Sequence, residues 1–131
     1  MGEDKCKKVI LVVEDHEATA ELIAEYLNEE PGYDALTAGD AETALELIRA
    51  RKPDLILLDV KLPGTGGFEL YDTLQADPVT RDIPVIFITA STSRAISADL
   101  ERRHIEDYVA KPFELDYLLF RVKEVLGQGK G

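Results

Sequence analysis

A single cysteine, Cys6, stands in a polar N-terminal stretch, so no intramolecular disulfide can staple this chain. That suits a reducing compartment, and the cytoplasm is the expected location. Long apolar runs are missing too. The longest, such as Val9 to Val13, fall far short of the roughly 20 residues needed to span a bilayer. The first five residues carry no apolar signal segment, and Cys6 stands where a myristoylation signal requires Ser or Thr. No membrane partner is expected. Basic residues are in deficit: 15 Lys and Arg against 26 Asp and Glu leave a formal charge of −11. Such a surface repels a phosphate backbone, so direct nucleic-acid binding is not expected either. Repeats, low-complexity tracts and obvious linkers are also lacking. What remains is 131 residues with 45% hydrophobic content, enough for one packed core and too few for two ordinary domains.

Five short strand-like segments alternate with helix-like ones. Val9–Val13, Leu55–Leu58 and Val85–Ile88 are continuous aliphatic and β-branched runs, the signature of strands covered on both faces in a parallel sheet. Tyr33–Thr37 and Ile105–Val109 mix polar with apolar residues and suit the sheet's edges. Between them the period lengthens. Ala41, Ala44, Leu45 and Ile48 fall on one helical face behind Asp40, a natural N-cap. Leu22, Ile23, Tyr26 and Leu27 mark the first helix, stopped by Pro31-Gly32; Phe68, Tyr71 and Leu74 mark the third, between Gly66-Gly67 and Asp77-Pro78. The fourth, around Ile96 and Leu100, has few apolar anchors and should be the least rigid, whereas Leu115 to Leu126 carries a long stripe. The pattern predicts an α/β fold, a (βα)5 doubly wound five-stranded parallel sheet. With mixed segments at the edges, we adopt the flavodoxin-like order 2-1-3-4-5.

Ligands of such sheets bind at the carboxyl ends of the strands. There the sequence places Glu14-Asp15 after the first strand, Asp59 after the third, Thr89 after the fourth and Lys111 after the fifth. Taken singly, each has an ordinary explanation: a helix cap, a turn residue, a hydroxyl closing a strand, a surface charge. Their coincidence at one edge is what carries information. Three carboxylates drawn together repel unless a cation sits among them, and oxygen-only donors suit Mg²⁺ or Mn²⁺ better than zinc. With such a cation, Asp59 is able to attack a phosphoryl group in line, Lys111 supplies positive charge and Thr89 a hydrogen-bond donor.

The stretches Val12–His16, Leu57–Gly64, Pro84–Ala90 and Asp107–Phe113 resemble the four signature blocks of response-regulator receiver domains, in order and spacing, over roughly Lys8 to Leu126. The resemblance implies a flexible tail over 1–7, a receiver domain over 8–126 and a second tail over 127–131. It implies Asp59 as phospho-acceptor, Asp15 as a direct metal ligand, Glu14 as a ligand acting largely through water, and the Lys61 carbonyl as a further ligand. Thr89 and Tyr108 resemble the switch pair, Lys111 the phosphate-pairing lysine, and Lys111-Pro112 the family's usual cis peptide. Side chains at Lys61 and Ser91 stand where the family tunes the lifetime of the acyl phosphate. The partners implied are a sensor histidine kinase or histidine phosphotransfer protein, and a downstream protein or a separate output domain, with phosphorylation-dependent homodimerisation as a further option. The output face is expected around the fourth helix, fifth strand and fifth helix. Such a domain is not an enzyme in the ordinary sense; it catalyses only its own phosphorylation and slow dephosphorylation.

Two positions depart from the family pattern. Gly66 stands where an acidic residue is common, and His104 where a glycine is usual. Arg94, Arg102, Arg103 and His104 cluster nearby; a solvated helix face is the default reading and an output surface the alternative. Three rival functions remain. A haloacid-dehalogenase-type phosphatase needs a second Asp two residues after the nucleophile, where Lys61 stands. A flavodoxin needs a Ser/Thr/Gly-rich phosphate loop after the first strand, where Glu14-Asp15-His16-Glu17 repels phosphate. A receiver-like adaptor binds partners without phosphorylation, and the acidic triad with Lys111 argues against it.

Overall fold

The computed structural model describes residues 7–90 and 93–128. Residues 1–6 of the N-terminal tail, Cys6 among them, Ser91, and the end of the C-terminal tail lie outside those residues. Strands β1 (Lys8–Val13), β2 (Tyr33–Ala38), β3 (Leu55–Asp59), β4 (Val85–Thr89) and β5 (Tyr108–Ala110) alternate with helices α1 (Glu17–Asn28), α2 (Ala41–Ala50), α3 (Gly67–Ala76), α4 (Arg94–Arg102) and α5 (Leu115–Gln128). The five strands are parallel, in the order β2-β1-β3-β4-β5. The expected order therefore holds, with the two mixed segments at the edges.

Alternation along the central strands divides the core in two. Ile10, Val12, Leu55 and Leu57 pack toward α1 and α5, beside Ile23, Leu27, Leu118 and Val122. Leu11, Val13, Ile56 and Leu58 turn the other way, toward α2 and α3, beside Ile48, Leu70, Leu74 and Phe87. Each fully buried aliphatic side chain contributes about 1.5–3 kcal/mol relative to exposure, which is why continuous apolar runs occupy the middle of the sheet. At α2 the expected cap is present: the Asp40 carboxylate accepts the Thr43 N–H at 2.7 Å. Among the described residues no helix is long and apolar enough to cross a membrane.

Two boundaries differ from expectation. Gly127 and Gln128, assigned to a tail, continue α5. The fifth strand begins at Tyr108 rather than Ile105, because residues 103–105 close α4 in a Schellman turn. His104 donates its N–H to the Glu101 carbonyl at 3.0 Å, and Ile105 to the Leu100 carbonyl at 2.9 Å. The turn requires a left-handed residue, and His104 supplies it at φ 57°. Its position explains why a glycine is usual there. A left-handed L-residue costs roughly 1–2 kcal/mol, offset by the roughly 0.5–1 kcal/mol that glycine loses in chain entropy. His104→Gly is thus expected to raise stability by about 1 kcal/mol, read as a later urea midpoint with an unchanged slope.

Candidate functional site

Because the strands are parallel and in step, their carboxyl ends meet at one edge. Val13 lies opposite Leu58, Asp59 opposite Ile88, and Thr89 opposite Ala110. Loop amides extend the ladder one step further: Glu14 N–H reaches the Ala38 carbonyl at 3.0 Å, Val60 N–H that of Ile88 at 3.0 Å, and Lys111 N–H that of Thr89 at 2.8 Å. The side chains following the strands therefore converge on an open cleft of about 370 Å³ lined by Glu14, Asp15, Asp59, Lys61, Thr89 and Lys111, among others. Lys111-Pro112 is a cis peptide, as the resemblance implies.

Two of the acids are buried, Glu14 at 2% exposure and Asp59 at 5%, whereas Asp15 is exposed. Lys111 Nζ donates to Glu14 Oε1 at 3.0 Å and to Asp59 Oδ2 at 3.1 Å. The remaining oxygens are held by backbone: Glu14 Oε2 accepts the His16 N–H at 3.1 Å, and Asp59 Oδ1 the Lys61 N–H at 2.9 Å. Burial, followed by the hydrogen bond to Asp59, pushes the Glu14 carboxyl above its usual range, against the opposing pull of Lys111 and the His16 amide. For Lys111, burial alone favours the neutral amine, but the bonds to Glu14 and Asp59 outweigh it and the ammonium is strengthened.

The donor set fits a hard divalent cation. Glu14, Asp15 and Asp59 each bring one carboxylate oxygen within 4.8 Å of the others. Three carboxylates face the single charge of Lys111, and all these donors are oxygen, the set that Mg²⁺ or Mn²⁺ favours. Lys61 adjoins them through its backbone, tied to Asp59, while its side chain is exposed at the rim.

The structure brings Glu14, Asp15, Asp59, Lys61, Thr89 and Lys111 together. Thr89 is buried at 3% exposure in the last position of β4. Tyr108 is not part of the cleft; it opens β5 opposite Phe87 and is 46% exposed. Ser91 lies outside the described residues. Three contributions were not read from the sequence. His16 lines the cleft and its amide fixes Glu14. Gly67 lets the start of α3 press against the end of β3: a Cβ there would lie 2.3 Å from the Asp59 carbonyl oxygen. The Gly66-Gly67 pair signals a helix boundary, yet nothing in the string says which backbone approaches it. Arg103, expected on a solvated face, is turned inward onto α3, its side chain 19% exposed.

Comparison with known proteins agrees with this geometry. The family described as the response regulator receiver domain matches residues 10–123. The phosphate regulon transcriptional regulatory protein PhoB of Pseudomonas aeruginosa is 43% identical over 119 residues, covering 91% of this chain and 52% of that protein. The polar-differentiation response regulator DivK of Brucella anthropi is 32% identical over 120 residues, covering 92% of this chain and 97% of that one. The chain thus spans about half the length of PhoB and nearly all of DivK. A CheY-like response regulator receiver domain from Methanospirillum hungatei superposes with a TM-score of 0.85 at 28% identity, covering 95% of this chain and 97% of that one. With the β2-β1-β3-β4-β5 sheet and the acidic cleft at its carboxyl edge, the chain belongs to the response regulator receiver domain family of two-component signalling.

Proposed function

We propose that this domain accepts a phosphoryl group on Asp59, in a Mg²⁺- or Mn²⁺-dependent transfer from a histidine kinase or histidine phosphotransfer protein, or from a small phosphodonor. The observation that carries the reading is the convergence of the Glu14, Asp15 and Asp59 carboxylates with the Lys111 ammonium in one cleft. A carboxylate oxygen of Asp59 forms a bond to phosphorus while the donor's P–N or P–O bond breaks; the departing group keeps the electron pair, leaving as acetate from acetyl phosphate or as neutral imidazole from a phosphohistidine protonated on its other ring nitrogen. Glu14, Asp15, Asp59 and the Lys61 carbonyl would hold the cation, which when bound would supply positive charge against the phosphoryl oxygens. Lys111, already bonded to Asp59, pairs with the incoming phosphate, and the Thr89 hydroxyl donates to it. Because those bonds exist only with phosphate present, they favour an arrangement in which the Thr89 loop, α4 and Tyr108 move together and reshape the face formed by α4, β5 and α5. That face addresses a downstream protein or an output domain.

Incubation of the chain with acetyl phosphate and Mg²⁺, followed by intact mass measurement, tests the reading. One phosphoryl group is expected, lost in Asp59→Asn and on chelation of the metal. No uptake by the unaltered chain would instead make it an adaptor that binds partners without phosphorylation.

Lys61 supports a finer expectation. Its exposed side chain stands two residues beyond the acceptor, at the mouth through which water reaches the acyl phosphate. Lys61→Ala is expected to change the phosphoryl half-life severalfold without abolishing uptake. A decay rate equal to that of the unaltered chain would count against it.

A further inference from the structure

Helix α4 is held by little apolar surface. Leu100 is its one buried side chain, with Ile96 partly buried. At its C-terminal end, beside Leu100 and the partly buried Ile105, it also has a polar attachment. Arg103 donates from Nε to Asp72 Oδ1 at 2.9 Å and from Nη2 to Asp72 Oδ2 at 2.8 Å, a two-bond fork onto the middle of α3. A third donor, Nη1, reaches Asp99 Oδ1 on α4 itself at 2.8 Å, and Asp99 also pairs with Arg102. The guanidinium lies 4.8 Å from the Phe68 ring centroid. Phe68 and Tyr71 in turn pack on Phe87, with centroids 5.1 and 5.3 Å away. Phe87 precedes Thr89 by two residues on β4.

Most ion pairs at a protein surface contribute almost nothing, because two long side chains must be frozen to form them. This one differs on the arginine side, although Asp72 is exposed. The fork is bidentate, the guanidinium is mostly covered at 19% side-chain exposure, and Asp99 with Phe68 already orients it, so less freedom is lost in making the bonds. The opposite end of α4 carries the Ser93 cap, at 3.3 Å to the Ile96 N–H, four residues from Thr89. A pull arising at Thr89 therefore acts on a helix whose far end is tied down.

We infer that the Arg103–Asp72 fork is a latch that holds α4 on α3 in the resting arrangement and sets how readily the switch proposed above is thrown. The part concerning the switch rests on Asp59 being the phospho-acceptor; the latch itself does not.

Asp72→Ala isolates the tie between helices, since Arg103 keeps Asp99 and Phe68, and Asp72 is exposed enough for the chain to fold without it (55% side-chain exposure). Arg103→Lys keeps the charge but loses the fork. Amide hydrogen exchange of the full, unphosphorylated chain is read for α4 against β1 and β3. In Asp72→Ala, exchange in α4 is expected to rise about tenfold or more with the strands unchanged, and Arg103→Lys is expected to fall between it and the unaltered chain. An α4 unchanged in both variants, or an equal rise everywhere, overturns the latch. In the second arm, acetyl phosphate should phosphorylate Asp72→Ala severalfold faster; an unchanged rate with a loosened α4 overturns the link to the switch. Failure of the unaltered chain to take phosphate defeats the reading of Asp59 and leaves the exchange result to judge the latch alone.

Discussion

Alanine in place of Gly67 is expected to lower stability by about 3 kcal/mol, the upper part of the range for overpacking, and the melting temperature by about 10 °C. The added methyl would stand 2.3 Å from the Asp59 carbonyl oxygen and 3.0 Å from the Val60 Cα. Both are backbone atoms, so no side chain can swing aside. The same approach is anchored by the Gly67 N–H, which donates to the Val60 carbonyl at 2.9 Å. Relief requires α3 to retreat or the β3 end to shift, and either moves Asp59 relative to Glu14 and Lys111. Displacements of about 1 Å at a reacting group can slow a reaction on the order of 100-fold, so phosphoryl uptake should fall at least tenfold even at temperatures where the variant is folded. Gly66 is the control. It is the N-cap of α3, its N–H donating to Glu69 Oε1 at 3.0 Å, with no side chain to return the bond. A Cβ there meets only the Val60 carbonyl oxygen at 3.8 Å. Gly66→Ser should therefore be neutral or stabilising by a few tenths of a kcal/mol. Equal melting points and uptake rates for the alanine variant and the unaltered chain would show that the helix start yields freely.

The two glycines mark a general boundary between what is legible in the string and what is not. Val9–Val13, Leu55–Leu58 and Val85–Ile88 announce central strands because burial on both faces demands unbroken apolar runs. The carboxyl-end cluster is legible for a related reason: parallel strands put their ends at one edge, so Glu14, Asp15, Asp59, Thr89 and Lys111 meet once the strands are placed. Ile105 misleads because an apolar residue beyond a helix serves a Schellman turn as well as a strand, and only the left-handed His104 distinguishes the two. Arg103 misleads in the opposite sense. Within Arg102-Arg103-His104 it reads as solvated charge, and its partner Asp72 lies 31 residues away on another helix. Local pattern reports which face is apolar; it is silent on which charge folds back.

Methionine in place of Lys111 removes the cation while keeping most of the stem, and is expected to destabilise the metal-free protein by about 3 kcal/mol near neutral pH, the low end for breaking a buried pair. The low end applies because Lys111 is 27% exposed, although its partners are nearly covered, Glu14 at 2% and Asp59 at 8% of their side chains. The pH dependence follows from which groups hold protons more tightly when folded. Glu14 does, being raised by burial and by Asp59, so its contribution is fully present below its ordinary value of 4.5 and is lost as pH rises through the raised value. Lys111 does as well, so its pairing is present below 10.5 and fades as pH climbs through its raised value. Without Lys111 an opposing pull on Glu14 is gone, and protonation of Glu14 becomes the remaining way to relieve the two buried charges. The deficit of Lys111→Met should therefore be largest at about pH 8 and shrink toward about pH 5. Divalent cation should substitute for the lost ammonium, so millimolar Mg²⁺ is expected to stabilise the variant more than the unaltered chain. Urea midpoints at both pH values, with Mg²⁺ and with chelator, read all of this. A deficit independent of pH together with an equal Mg²⁺ effect on both proteins would mean that Lys111 packs beside the acids without neutralising them, and would remove the electrostatic basis for phosphoryl transfer at this edge of the sheet.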